Sequence, residues 1–565
     1  MKLNVTFSSS TLQWNKVDFL NIAFITFVWI IMTIVVNPLG DFPLNDDWAY
    51  AESVKHLLET GKFQLPGWAV ANLLPQVLWG ALFCLPLGFS FTALRFSTLT
   101  LGLIGVIATY KLLQEIIVNR QIALIGAFIL AVNPLYFGLA NTFMTDVPHY
   151  AVTILSLYFF CRGINQNSQR AIIIAIFLAI ISLLIRQVTA ALFFGYAIAY
   201  VVKNKAQISS IITAGILFIG LPIGIQTIFA RLFWPKNFGN YGAKEQEFVS
   251  QFSYINIEKI VDFLYFALSA FIYLGCFIFP FLMIAYIIKI KTIKSLTQKS
   301  ILTGSLLFLS LTIGLRLFSV KERMPVVGNV LIDWGLGPLT LRDTLLSQSE
   351  SIPNYLANFW IIITIVATIG AALLLIFTFF STIQLFSDRH LKKKSLILLN
   401  NSTAFIYFLP LGLSFFFDRY LLLLLPLSMV MVLQCLNNIK RFQLNLKTKF
   451  FTVLTISSIG LFTVAATHDY LSWNRVRWQA LENLMQQQIT PDRIDGGFEF
   501  NGWYLYDPNY QIYQKIKNND VWWWSEKNDY IIAFSPIEGY TAIEQYPLQN
   551  WLPFPSDRIL VLHKK

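Results

Sequence analysis

Charge is what this sequence has least of. Only 13% of its 565 residues are Asp, Glu, Lys or Arg, about half the usual share of a soluble globular chain. Hydrophobic residues make up 56%, with 50 Phe among them. That balance excludes a soluble enzyme of this size, a disordered chain and a collagen-like one. Cysteine is scarce too. Cys84, Cys161, Cys276 and Cys435 are widely spaced and each falls in an apolar run, so they read as packing residues rather than a disulfide framework or a metal site. Walker and Rossmann glycine patterns are absent, as is any His/Cys cluster. A nucleotide donor has no support. No internal repeat or low-complexity linker interrupts the chain.

What is present is a series of long apolar runs. Thirteen candidate spans fall near 17–37, 92–115, 121–139, 143–160, 171–185, 188–202, 207–230, 262–288, 300–319, 358–385, 397–415, 420–437 and 450–467. Most approach the roughly 20 apolar residues that a span needs. The runs 171–185 and 188–202 are short and meet at Arg186-Gln187; a single long helix is the alternative. The apolar stretch 69–89 contains Pro75 and Pro86 and reads as a helix at the membrane surface, with a span as the alternative.

The formal net charge is +12. With the N-terminus cytoplasmic, alternation places twenty basic residues inside against three acids, Asp18, Glu115 and Asp388. The outside then holds 22 basic and 27 acidic residues. This is the pattern of basic cytoplasmic loops. It removes the reason to expect a nucleic-acid partner. It also favours two short spans over one at 171–202, because one span would invert everything downstream. The expected organisation is a cytoplasmic N-terminus (1–16), an all-α polytopic domain (17–467) and a small α+β extracytoplasmic domain (468–565). The first outer loop covers 38–91, and further outer pieces cover 231–261 and 320–357. In the C-terminal piece, 473–488 reads as a helix, and 530–534 and 559–562 as strands. Its many tryptophans, Trp522 among them, fit core packing better than glycan binding.

The few charges at outer span ends carry the functional reading. In the first outer loop, Asn45 is a good N-cap, Asp46 and Asp47 suit the first turn and Gly61 suits the stop. Tyr50, Val54, Leu57 and Leu58 then share one face. Adjacent carboxylates repel, which favours a general base; the pair can equally ligate a divalent cation, or only cap the helix. Asp146 opens the fourth span, and His149 follows one turn later on the same face. Arg186 lies between the short spans, and its fork suits phosphate; a salt bridge to Asp146 is the structural alternative. Between spans eleven and twelve, Asp418, Arg419 and Tyr420 suit a phosphate or sugar, or form only a polar turn. Arg316, Lys321, Arg323 and Arg342 add basic charge in loop 320–357. Together these groups suit transfer from a lipid-linked phosphate.

The first-loop run Asp46-Asp47-Trp48-Ala49-Tyr50-Ala51 resembles the membrane glycosyltransferases of the GT-C fold, and more narrowly the family 39-like, protein mannosyltransferase-like enzymes. Thr145-Asp146-Val147-Pro148 is similar to the second acidic motif of that family. Phe417-Asp418-Arg419-Tyr420-Leu421-Leu422 resembles a motif of bacterial members. As architecture the resemblance covers about 17–470. It implies a polyprenyl-phosphate sugar donor, inversion at the anomeric centre, and a lipid, glycan or protein acceptor at the outer face of the bilayer. It further implies that Asp46 or Asp47 is the base, that Asp146 assists it or orients acceptor or metal, and that Arg186 and Arg419 hold the donor phosphate. Tyr50, His149, Asp418 and Tyr420 are then substrate-binding candidates. The pair is Asp-Asp where the family often has Asp-Glu, which leaves the base role to either residue. The rival readings are a lipid-linked glycan flippase or transporter and a polysaccharide polymerase or ligase.

Overall fold

The computed structural model describes residues 16–69, 71–86, 88–117, 119–234, 256–346, 354–387, 390–414, 416–436, 444–507, 523–553 and 556–565. Residues 1–15, most of the expected outer segment 231–261, part of loop 320–357, Asp388 and Trp522 lie outside the described residues.

Eight helices among the described residues are long and apolar enough to cross a membrane: Lys16–Val36 (α1), Phe91–Ile116, Ile208–Phe233, Ile257–Phe277, Leu296–Ser319, Leu356–Ser387, Lys392–Leu413 and Leu446–Gln486. A ninth forms if Arg120–Ala131 and Pro134–Ala140, bent by 61°, count as one span. Together these cover nine of the thirteen expected segments. The other four expected segments are helical but fail by length or polarity. Asp146–Gln166 carries Asp146, His149, Arg162 and two tyrosines; Gln169–Ile185, Ala190–Lys203 and Leu424–Gln434 are short. The chain is a multi-pass membrane protein. Its perimeter exposes Ile34, Phe308 and Phe450, side chains that only lipid covers favourably.

Local chemistry explains the helix starts. Ser90, Asn119, Asn133, Ser168 and Asn445 accept hydrogen bonds from amides of the following turn, satisfying donors that a helix end leaves free. The helices Gln169–Ile185 and Ala190–Lys203 are separated by a 3₁₀ turn at Gln187–Thr189. Thr189 contacts His149 near the start of Asp146–Gln166, and Lys203 donates to the Ile164 carbonyl near its end. Ala190–Lys203 thus runs parallel to Asp146–Gln166, while Gln169–Ile185 runs back along it, Ser156 meeting Ala175 and Thr153 meeting Ser182; the two short helices are antiparallel legs, and Arg186 sits at their shared turn. The helices Ile257–Phe277 and Asn354–Ser387 meet at Gly275 and Gly370, where a Cβ would strike the facing backbone; small residues permit such approach.

Around the first loop the differences matter more. Helix α2 spans Asp47–Thr60 and stops at Gly61 in the left-handed conformation, but its N-cap is Asp46, not Asn45. Asn45 itself has φ of 59°. The stretch 69–89 forms only an 11-residue helix, Leu74–Cys84, about 16 Å long and too short to span. The expected helix at 473–488 is continuous with the last span. Leu446–Gln486 runs 41 residues, about 60 Å, twice the hydrocarbon thickness. Beyond it a four-stranded sheet forms from Ile494–Asp495 (β1), Tyr530–Ala533 (β2), Tyr540–Pro547 (β3) and Arg558–Lys564 (β4), in the order β1-β2-β4-β3. β1 and β2 pair in parallel, the rest antiparallel. A short helix, Phe498–Leu505, follows β1. The four cysteines are free.

Candidate active site

The loop 38–42 leads from α1 to the acidic pair and is latched to the start of helix Phe91–Ile116. Asp41 accepts from the Phe91 amide at 2.6 Å. Arg95, 1% exposed, donates to the carbonyls of Pro38, Gly40 and Phe42. The loop thus delivers Asp46 and Asp47 from a fixed base.

The two carboxylates face different ways. Asp47 is 1% exposed and accepts from the backbone amides of Leu44 at 2.6 Å and Phe143 at 3.0 Å. It ties the loop to the entrance of helix Asp146–Gln166. Burial pushes its carboxyl up to about 7, with those two amides pulling against the shift. Asp46 keeps an exposed edge. Its Oδ1 accepts from the Trp68 indole at 3.0 Å and its Oδ2 from Arg419 Nη2 at 3.3 Å.

Arg419 brings in the late part of the chain. It opens a 3₁₀ turn, Asp418–Leu423, and its side chain is 7% exposed. Its Nε and Nη1 are buried and find no hydrogen-bond partner among the described residues. Beside it, Arg186 Nη1 donates to Asp146 Oδ1 at 2.6 Å. Both guanidiniums contact the Tyr420 ring, Arg186 at 5.2 Å and Arg419 at 5.5 Å from its centroid, a cation–π attraction. Tyr50, buried on α2, feels the charges of Asp46, Arg419, Arg186 and Asp146 together. So Asp46, Asp146, Arg186 and Arg419, with Tyr50 and Tyr420, form one cluster of two negative and two positive side chains.

The remaining candidates lie apart from it. Asp418, fully buried, accepts from the amides of Val330, Leu331 and Arg419. It joins the hairpin Leu331–Ile332 and Gly335–Leu336 to the turn that presents Arg419. His149 contacts Thr189 Oγ1 at 2.9 Å, within a buried chain of hydroxyls that continues to Ser182 and Thr153. Arg323 and Arg342 pair with Asp333 and Asp495 rather than joining the cluster. Among the described residues no three His, Cys, Asp or Glu side chains gather as a metal set. Both oxygens of Asp47 are committed to backbone amides.

Sequence reasoning missed Arg95, Trp68, Glu499 and Arg477. Arg95 carried a signal, an arginine just inside an apolar run. Trp68 belongs to an aromatic group with Trp48, Phe498, Tyr506 and Trp524, ring centroids 5.2–6.3 Å apart. These rings pack on one another across the first loop and the C-terminal segment.

Residues 74–234, under a third of the chain, match the family model described as dolichyl-phosphate-mannose-protein mannosyltransferase. The expected resemblance to family 39-like, protein mannosyltransferase-like enzymes is met there. The matched segment includes Asp146, His149 and Arg186. Among curated proteins no sequence matches. Two solved structures are similar in outline. One is the archaeal oligosaccharyltransferase AglB from Archaeoglobus fulgidus, in complex with an inhibitory peptide and a dolichol-phosphate. It has 13% identity and a TM-score of 0.43, covering 85% of this chain. This chain spans 58% of that protein's length. The other is ArnT from Cupriavidus metallidurans bound to undecaprenyl phosphate, at 11% identity and a TM-score of 0.46, covering 96% of this chain and 97% of that one. No residue role is taken from either.

Proposed function

We propose that this protein is an inverting GT-C-type glycosyltransferase. It moves a sugar from a polyprenyl-phosphate donor to a lipid, glycan or protein acceptor at the outer face of the membrane, with the N-terminus cytoplasmic and the C-terminal segment outside. The observation that carries the reading is Arg419. A buried guanidinium normally uses all its donors. This one spends Nη2 on Asp46 and, among the described residues, holds Nε and Nη1 without partners, charged donors that suit phosphate oxygens. The family-model match over 74–234 supports the same chemistry.

The geometry supports the following roles. Asp46, the acid with an exposed edge, accepts the proton of the acceptor hydroxyl. The acceptor oxygen bonds to the anomeric carbon from the face opposite the phosphate. The bond from that carbon to the phosphate oxygen breaks, and the electron pair leaves with the polyprenyl phosphate. Arg419 and Arg186 stabilise the departing charge. Asp146 orients Arg186, and Tyr420 contacts both guanidiniums. Asp47 holds the loop and leaves the base role to Asp46. A divalent cation, if bound, would meet Asp46 and Asp146 beside those guanidiniums.

The test uses membranes from cells expressing the protein and a panel of labelled polyprenyl-phosphate hexoses and pentoses. Release of polyprenyl phosphate with transfer of label to acceptor is expected for one donor. Movement of intact donor across the bilayer without turnover would contradict the proposal and favour transport.

A further inference from the structure

The C-terminal segment grips the first loop. Helix Phe498–Leu505 lies against α2, and a Cβ at Gly502 would overlap the Trp48 indole. Glu499, 0% exposed, accepts from the Asn45 amide through Oε1 at 3.0 Å. Its Oε2 accepts from Thr340 Oγ1 at 2.6 Å and Arg477 Nη1 at 2.8 Å. Arg477, also 0% exposed, donates Nε to the Gly496 carbonyl at 2.8 Å.

Asn45 is the residue before Asp46, and its φ of 59° is left-handed. Asn tolerates that region better than most residues, but surrounding contacts must still hold it there. Both amides ahead of Asp46 are held by buried carboxylates. Leu44 is bound by Asp47 from within the loop, and Asn45 by Glu499 from 454 residues away. We propose that Glu499, fixed by Arg477, is a positioning residue for Asp46. It sets the turn from which the Asp46 carboxylate meets Arg419 and Trp68. The C-terminal segment then serves the reaction through its hold on this loop. This inference rests on the reading of Asp46 as the base.

The test uses the full-length protein in lipid nanodiscs and the labelled polyprenyl-phosphate sugar that the wild type turns over. Turnover is expressed per bound polyprenyl phosphate, so that a loss of folded protein does not count. The double variant Glu499→Leu/Arg477→Met removes both buried charges together, a replacement that folded proteins tolerate, and leaves the Asn45 amide without its acceptor. The expected result is donor KM near wild type and kcat per site lower by about 10- to 100-fold, as for a displaced catalytic group. Glu499→Gln keeps an oxygen for Asn45 and is expected to lose less. Wild-type kcat per site in the double variant overturns the proposal. If that variant fails to bind polyprenyl phosphate, Gly502→Ala, which pushes the helix off α2 and leaves the ion pair in place, is expected to lower kcat with KM kept; unchanged kcat there overturns it too. Asp46→Asn runs alongside. If it is inactive while the double variant is normal, the positioning role alone fails. If it too is normal, the reading of Asp46 as base fails.

Discussion

Arg419 Nη2 meets Asp46 Oδ2 at 3.3 Å, joining the turn before a late helix to the head of α2. The contact leaves Asp46 one exposed edge, while the buried Nε and Nη1 of Arg419 have no partner among the described residues. Each residue thereby constrains what the other can do.

These Arg419 donors predict how Arg419→Lys behaves. Lysine keeps the charge but not the planar fork. Donor KM is expected to rise about 10- to 100-fold, since a hydrogen bond to a charged group contributes about 1.5–3 kcal/mol. Steady-state kinetics over a donor series reads this out, and an unchanged KM would remove the phosphate from Arg419.

Arg186→Ala is expected to weaken donor binding as well, and to leave the buried Asp146 carboxylate without its 2.6 Å partner. Stability is therefore expected to fall along with affinity, by about 3–5 kcal/mol, as when one member of a buried pair is removed. Thermal melts beside donor-binding isotherms separate the two effects. Unaltered donor affinity in a folded variant counts against the role.

Asp47 predicts a pH dependence of stability rather than of catalysis. Its folded-state value of about 7 lies above the ordinary 3.8 because burial disfavours the charge. Folding therefore favours the protonated form. The stability it contributes is full below about pH 4 and is lost as pH rises through about 7. Melting temperatures are expected to fall across that window, and Asp47→Asn to flatten the slope. An unaltered slope in the variant would show that other groups set it.

His149→Gln is expected to leave kcat and donor KM near wild type while lowering the melting temperature, because the imidazole serves a buried hydroxyl chain. A selective loss of donor binding would return His149 to the site.

Much of the fold was legible because lipid demands it. Spanning backbone must bond within its own helix, so apolar runs mark helices directly. The count was less legible. Helix Leu424–Gln434 and the two legs around Arg186 are apolar but short, and composition alone does not set such segments apart from full-length spans. The junction at Thr467–Asp469 reads as a helix end by polarity, yet the helix runs on to Gln486 because burial on the C-terminal segment supports it. The acids and arginines stood out because charge is rare. Which of Asp46 and Asp47 faces the cluster did not. Neighbours on a helix point about 100° apart, and only the amides of Leu44 and Phe143 decide between them. Glu499 was invisible for a related reason: its partner Asn45 is 454 positions away, beyond any local pattern.

In the proposed reaction Asp46 accepts the proton of the acceptor hydroxyl beside arginines that hold the donor phosphate. The most direct measurement is transfer of labelled sugar by Asp46→Asn protein, normalised to bound polyprenyl phosphate. Asn is isosteric and retains an acceptor for Trp68, so fold and donor binding are expected to persist. Transfer per site is expected to fall by about 10²- to 10⁴-fold, the usual contribution of a general base. Transfer at the wild-type rate from a folded, donor-bound Asp46→Asn protein would contradict the account.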